Sequence, residues 1–531
     1  MKRVLNRLMA MAIIGASLML TNCSDDEDTT PSAPQVSPEV SQLSIAQGEV
    51  KSFVVSVSAA GKLKDISVSA DKGTVTVSEI TGTDQATGSA KITYTAPFVL
   101  GAAKITIVVN DQAQQQVIAD VAVDVTQHPP IELTGGNVEG EWGPFLTYHV
   151  TGKLTVAEGK SLKVREGTTI IMDGDGKPVT SPAMTVIGNF YSYGTEQNPV
   201  VFTVPEAKRT KENIFAGLWG GISATAKSTE MVVLYTRIEY TGLPGVKGTD
   251  IVDTGEVAEG DPTYALYFTN PNGKIVVMNS TFSYTVDVAV QINQGSLLVA
   301  NNMFILNGKS GGESINLKSG AVGDIAFNTF YASATNGVKW SNSGDRSPQN
   351  NANVYNNTAL NCGWRQTKAG RGGSFNLEKG GRGQVYNNIV VNSKYGVRFP
   401  NTPDNPDLTN SKVGYNLYFG NNDESVTGFY PTTGSLVKPG SFETSNDVSG
   451  AKNENDPKFV SFNVTTFDAT AAKSSSSVNF PAAFNLKLQT GSPALGKGKT
   501  GFTTNFTSFS LDGKTHTVPA PASYIGAYGA N

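Results

Sequence analysis

One phrase recurs along most of the chain and restricts what it can fold into. It reads VVMNSTF from Val276, LVANNMF from Leu298, DIAFNTF from Asp324, NVYNNTA from Asn353, QVYNNIV from Gln384 and KVGYNLY from Lys412. Its β-branched anchors, Val277, Val299, Ile325, Val354, Val385 and Val413, are spaced by 22, 26, 29, 31 and 28 residues. An earlier copy, VLYTRIE, places Val233 44 residues before Val277, with the Gly/Pro/Asp-rich loop 242–262 taking up the extra length. Between copies lies a second strand-like phrase: YALYF, VAVQI, ESINL, GVKW, GSFNL and YGVRF. Two short β phrases per period of this length predict a solenoid. Each period would be one coil, stacked on the next at about 4.8 Å, with apolar anchors forming ladders along the axis.

Asn302, Asn328, Asn357, Asn388 and Asn416 fall at one position of the coil. Asn tolerates the left-handed backbone of a sharp corner, and stacked amides can hydrogen-bond along the axis. These residues are therefore expected to be structural. Composition agrees with a β-rich exported chain. Charged residues make up 16% of 531 residues, with 56 Gly and 25 Pro. The net charge of −4 gives no support to nucleic-acid binding. Only Cys23 and Cys362 are present, which excludes a disulfide framework and a Cys-based zinc site. Cys362 follows an apolar run and is expected in the core.

The N-terminus reads as an address. Lys2, Arg3 and Arg7 precede an apolar run from Leu8 to Leu20, too short to span a bilayer, which ends at Leu20-Thr21-Asn22-Cys23. This resembles the lipobox of bacterial lipoproteins and implies lipidation at Cys23. The acidic run Asp25-Asp26-Glu27-Asp28 resembles the surface-export signal of Bacteroidetes lipoproteins. The implied location is the outer face of the outer membrane. Alternating runs between Val40 and Val125, such as VKSFVVSVSA and AAKITIVVN, predict an immunoglobulin-type sandwich, similar to bacterial Ig-like modules that act as spacers. The expected division is a leader at 1–23, an acidic and Pro-rich linker at 24–38, a sandwich at 39–127 and a solenoid at 128–531.

The runs GKLTVAEGKSLKVREGTTIIM (152–172), GTEQNPVVFT (194–203) and LWGGI (218–222), with DPKFV, FNLKLQTGSPALGKG and YIGAYG near the other end, resemble the right-handed parallel β-helix superfamily of pectate-lyase-like fold. The expected fold is all-β: a right-handed parallel β-helix preceded by a small Ig-like sandwich. The superfamily includes polysaccharide lyases, glycoside hydrolases, adhesins and non-enzymatic surface proteins, so the resemblance implies architecture and leaves activity open.

Three constellations bear on chemistry. Hydrolysis of the polygalacturonase kind needs clustered Asp with a Gly-His-Gly, whereas the only histidines are His128, His149 and His516. A calcium-dependent lyase needs converging carboxylates, and those between Tyr264 and Tyr430 are scattered in sequence. The DGDG at 173–176 lacks the rest of a calcium loop, so no metal or cofactor is assigned. The third constellation is basic. Arg365, Lys368, Arg371, Lys379, Arg382, Lys394 and Arg398 face one acidic residue, Glu378, within one or two coils. Arg365, Arg371, Arg382 and Arg398, with Trp340 and Trp364 as sugar platforms, are candidate ligands for an acidic polysaccharide. If the chain is a lyase, Lys368 or Lys379 is the candidate base and Arg365 a candidate charge stabiliser. Three readings stay open: a glycan-binding surface lipoprotein, a polysaccharide lyase working by β-elimination, and a structural adhesin.

Overall fold

The computed structural model describes residues 30–530. The leader, Cys23 and the acidic run lie outside them. The chain forms two compact units that divide between His128 and Pro129.

In the first unit, strict alternation of buried and exposed side chains builds a sandwich of two four-stranded sheets. One sheet orders Gln35–Pro38, Val50–Ser58, Thr87–Thr95 and Thr74–Thr81; the other orders Gln42–Ala46, Gln116–Thr126, Gly101–Asp111 and Leu63–Ala70. The opening strand is thus split between the sheets, and the rest follows the strand order of an immunoglobulin-type sandwich. The linker expected at 24–38 ends earlier than the sequence suggested. Gln35–Pro38 pairs antiparallel with Val55–Ser58, and Val36 packs against the core. As an edge strand it tolerates Pro38, which lacks an N–H to donate.

The second unit is the solenoid expected from the repeat, wound as the right-handed parallel β-helix that the resemblance implies. Its coil has three strands, and each stacks in parallel register on the coils before and after it. A front ladder runs through Leu154–Val156, Met184–Val186, Ile222–Ala224, the first part of Leu266–Met278 and of Val290–Ala300, Ile315–Leu317, Val338–Ser341, Phe375–Glu378 and Val397–Arg398. A flank ladder continues each front strand, and a rear ladder runs from Ile131–Leu133 to Leu417–Phe419. The register explains the repeat. Val277, Val299, Ile325, Val354, Val385 and Val413 pair in series on the flank ladder, and all are fully buried. Inside the rear ladder Phe282, Phe304 and Phe330 stack with ring centroids 5.2 Å apart at each step.

The Asn column forms at the flank-to-rear corner. Asn302 Nδ2 donates to Asn328 Oδ1 at 2.9 Å, and Asn328, Asn357 and Asn388 each donate to the next amide at 3.0 Å. Each Oδ1 also accepts the backbone N–H of the preceding coil's Asn, at 2.9–3.0 Å. Ser280 starts the column and Asp447 ends it. The expected left-handed backbone is displaced by one residue. It falls on Asn301, Phe327, Asn356, Asn387 and Tyr415, with φ between 50° and 60°. The column Asn is needed for its amide, and the residue before it turns the corner.

After the last coil the chain runs back along the solenoid. Phe459, Leu486, Leu488 and Ile525 cover the outer rear ladder at Leu360, Ile389, Val391 and Leu417. The hairpin Ser508–Leu511 and Lys514–Thr517 places Phe509 and Leu511 over Tyr191, Val232 and Leu298 of the flank ladder. Rear and flank are thus partly covered by apolar contacts, whereas the outward residues of the front ladder beyond Tyr267 are polar or charged.

Candidate functional site

In each front strand the central residue points outward. Pairing aligns Tyr267, Gln291, Asn316, Lys339, Asn376 and Arg398 in one row, one per coil. Their neighbours, such as Ile315, Leu317, Val338, Trp340, Phe375 and Leu377, point into the core. Coils carrying Glu313, Asn336, Lys339, Asn376, Glu378 and Arg398 enclose a cavity of about 160 Å³.

The loop 366–373 forms one wall. Gln366 anchors it by donating to Thr335 Oγ1 at 3.0 Å. Gly372 has φ +92° and a Cβ there would meet the Gly363 carbonyl at 2.4 Å, so only glycine lets this loop fold back on its own base. Arg371 projects from the loop at the cavity and is exposed.

Lys339 is at the centre. Its Nζ lies 3.1 Å from Glu378 Oε1, with both side chains largely buried. Burial alone would lower the lysine's pKa, but Glu313 and Glu378 outweigh it and raise it. Burial alone would raise Glu378, and Lys339 with the 2.8 Å hydrogen bond from Asn376 Nδ2 holds it low instead. Asn336 Nδ2 points to Glu313 Oε1 at 3.4 Å. The cavity thus holds an ionised pair with polar amides beside it. Asn336 and Asn376 are 4% exposed, and the Oδ1 of each lacks a hydrogen-bond partner among the described residues.

The cavity shares Gly370 and Arg398 with a larger neighbouring hollow of about 570 Å³, lined also by Lys394, Tyr395, Asp423, Glu424, Thr427 and residues 431–434. The Arg398 guanidinium lies over the Tyr395 ring at 5.2 Å and donates to the Gly434 carbonyl at 3.3 Å.

The basic cluster read from the sequence is divided by the coil geometry. Arg371 and Arg398 reach the cavity. Arg365 does not: it is buried, stacks over Phe215 at 5.1 Å and gives its donors to the carbonyls of Asn307, Gly308 and Ala332. Its role is to tie the rear turns together, not to stabilise a reacting charge. Arg382 sits at the turn after the front strand, where its carbonyl accepts Trp340 Nε1 at 3.3 Å. Lys368 and Lys379 are exposed, so neither has the desolvation a catalytic lysine base requires. The two tryptophans are not sugar platforms. Trp340 is fully buried and Trp364 nearly so, its Nε1 donating to the Asn392 carbonyl at 2.7 Å. At DGDG, Asp173 accepts from His149 and Lys208, and Asp175 from Lys177 and Ser181, so the carboxylates are engaged within the chain.

The residues that sequence reasoning missed are Glu313, Asn336, Lys339, Asn376 and Glu378. The signal was present in the second repeated phrase. Its penultimate residue is the outward one in YALYF, VAVQI, ESINL, GSFNL and YGVRF, and that series turns from Tyr to polar and charged side chains. The acidic residues looked scattered because Glu313 and Glu378 are far apart in sequence, yet both act on Lys339.

No protein-family model and no curated protein matches the chain. Solved structures similar to parts of it include domains 4 and 5 of the S-layer protein SbsC, at 23% identity and TM-score 0.15, covering 18% of this chain and 53% of that one. The chain therefore spans about half the length of that structure. A family 28 exopolygalacturonase of Yersinia enterocolitica matches at 10% identity and TM-score 0.21, covering 73% of this chain and 92% of that one. The architecture described above rests on this chain's own strand pairing.

Proposed function

We propose that the protein is a lipid-anchored cell-surface protein whose β-helix recognises an extracellular polysaccharide in the front cleft. The anchor and the location rest on the leader motif ending at Cys23. The observation that carries the recognition reading is the cavity around Lys339, Asn336, Asn376 and Arg398. There an ion pair, two largely buried amides and an arginine stacked on an aromatic ring line a recess about the size of a sugar ring. Amides and ion pairs suit hydroxyl-rich ligands, and Arg371 and Arg398 offer partners to a carboxylate or sulfate beside the lining carboxylates Glu313, Glu378 and Asp404. The test is calorimetric titration of the mature protein with soluble alginate, pectate and glycosaminoglycan chains. Binding that weakens with salt and is lost in Arg371→Ala and Asn376→Ala variants of unchanged thermal stability supports the reading. Binding that is unaffected by both substitutions removes the cleft from it.

One observation favours a second reading, β-elimination. Lys318 is largely desolvated and near Lys339, and burial together with that neighbouring charge lowers its pKa. An unprotonated Lys318 amine would take the proton on the carbon bearing the uronate carboxylate, the freed electron pair would form the double bond to the β carbon as the glycosidic C–O bond there breaks, and that proton would pass on to the leaving oxygen. Unsaturated products absorbing in the ultraviolet would establish it; their absence with binding retained leaves recognition alone.

A further inference from the structure

The front row of outward residues does not remain open along its length. At Tyr267 it is covered by the loop 243–262, whose Ile251 and Val257 pack on the tyrosine. The same loop lies over Thr185 and Ser223 of the earlier coils, leaving a space of only about 60 Å³ beneath it. Glu256 fastens the loop from both sides. Its carboxylate accepts from Asn293 Nδ2 and lies 2.7 Å from Arg346 NH2, an arginine of the turn that follows Val338–Ser341. Tyr264 adds a hydrogen bond from its hydroxyl to the Glu256 carbonyl at 3.1 Å. The Glu256–Arg346 bridge is largely buried, at 15% and 28% side-chain exposure, so it holds better than a pair in open solvent.

In the opposite direction the cavity around Lys339 and Asn376 adjoins the larger hollow, with Gly370 and Arg398 lining both. One end of the cleft is a wall and the other adjoins the hollow. On the reading that this cleft takes a polysaccharide, we infer that it takes the end of a chain: the terminal sugar enters the cavity at Lys339, Asn376 and Glu378, and the following sugars leave past Arg398 and Tyr395. A chain lying across the cleft by its middle would have to pass through the Glu256–Arg346 junction. A solenoid groove without such a wall would follow several coils, about 4.8 Å per step, and would be indifferent to chain ends.

The experiment competes intact alginate or pectate against the same polymer cut to about one tenth of its length, at equal mass. Cutting raises the number of ends per unit mass about tenfold, so the half-competing mass concentration falls by about the same factor. The same polymers with both terminal rings chemically modified serve as end-free controls and are expected not to compete. A Glu256→Gln, Arg346→Ala protein, which unlatches the wall without touching the cavity, is expected to lose much of the preference for short chains while still binding. Equal competition per unit mass by long and short chains overturns the end-recognition inference and leaves polysaccharide recognition standing. No binding of any polymer overturns both.

Discussion

Replacing Asn357 with Ala tests whether the amide column, as distinct from apolar stacking alone, holds the coils in register. Asn357 Oδ1 accepts the Asn328 backbone N–H at 2.9 Å and Asn328 Nδ2 at 3.0 Å, and its own Nδ2 donates to the carbonyls of Ile325 and Tyr355 and to Asn388 Oδ1. Asn328 Nδ2 keeps its bond to the Val299 carbonyl, and the Asn388 oxygen keeps the Asn357 backbone N–H. The Asn328 N–H is then the group left buried with no acceptor. An orphaned donor costs about 1–3 kcal/mol, and the other lost bonds bring the expected destabilisation to about 3–5 kcal/mol. Serine provides an internal control, because Ser280 already serves one coil position by accepting the Thr236 N–H at 3.1 Å. Asn357→Ser should therefore recover part of the loss and lie between wild type and alanine. Urea unfolding followed by tryptophan fluorescence gives the order, with Lys368→Ala as a surface reference. Equal values for Ala and Ser, or a loss for Ala no larger than the surface reference, would refute the claim that these amides hold the corner.

Phe304→Ala removes the middle ring of the rear stack, which is fully buried between Phe282 and Phe330, and should cost about 3–5 kcal/mol in the same assay. Phe480→Ala, at 45% exposure, should cost far less. Burial pushes the Asp447 carboxyl up to about 7, against the opposing hydrogen bonds from Tyr430 and Asn416. The folded state therefore holds this proton more tightly than the unfolded state. The stabilisation is complete below about pH 4 and lost as the pH rises through 7, so the stability difference between wild type and Asp447→Asn should slope across that window and be flat outside it. Leu511→Asp places a charge under the hairpin that covers Tyr191 and Leu298, and limited proteolysis should cut near residues 510–515 faster than in wild type.

The interior of the β-helix was legible because a coil repeats. A side chain that must stack on its counterpart one coil away is selected at every period, so the valine anchors and the Asn column recur visibly in one dimension. The sandwich was legible for a related reason, since alternation of period two marks every strand with one buried face. The corner was read one residue out of place. Phe327 and Tyr415 turn it as well as Asn301 does, so residue type alone did not mark the left-handed position.

The cleft was much harder to see. Basic residues close in sequence were expected to share a flank, yet a coil with three faces sends Arg365 to the rear, Arg382 to a turn and Arg398 to the front. Burial then decided which groups were available. Trp340 and Trp364 went into the core, whereas Lys339, one residue before Trp340, faces the cavity.

By itself the sequence determined the periodic parts: the stacked coil, its apolar ladders, its amide column and the sandwich before it. Each follows from local alternation or from a contact repeated in every coil. Only the tertiary structure decided where the front cleft begins and ends, and which charges it contains. Those depend on loops whose lengths differ from coil to coil, and on contacts such as Glu256 with Arg346 that join residues 90 positions apart and occur once. A contact made once leaves no period to read.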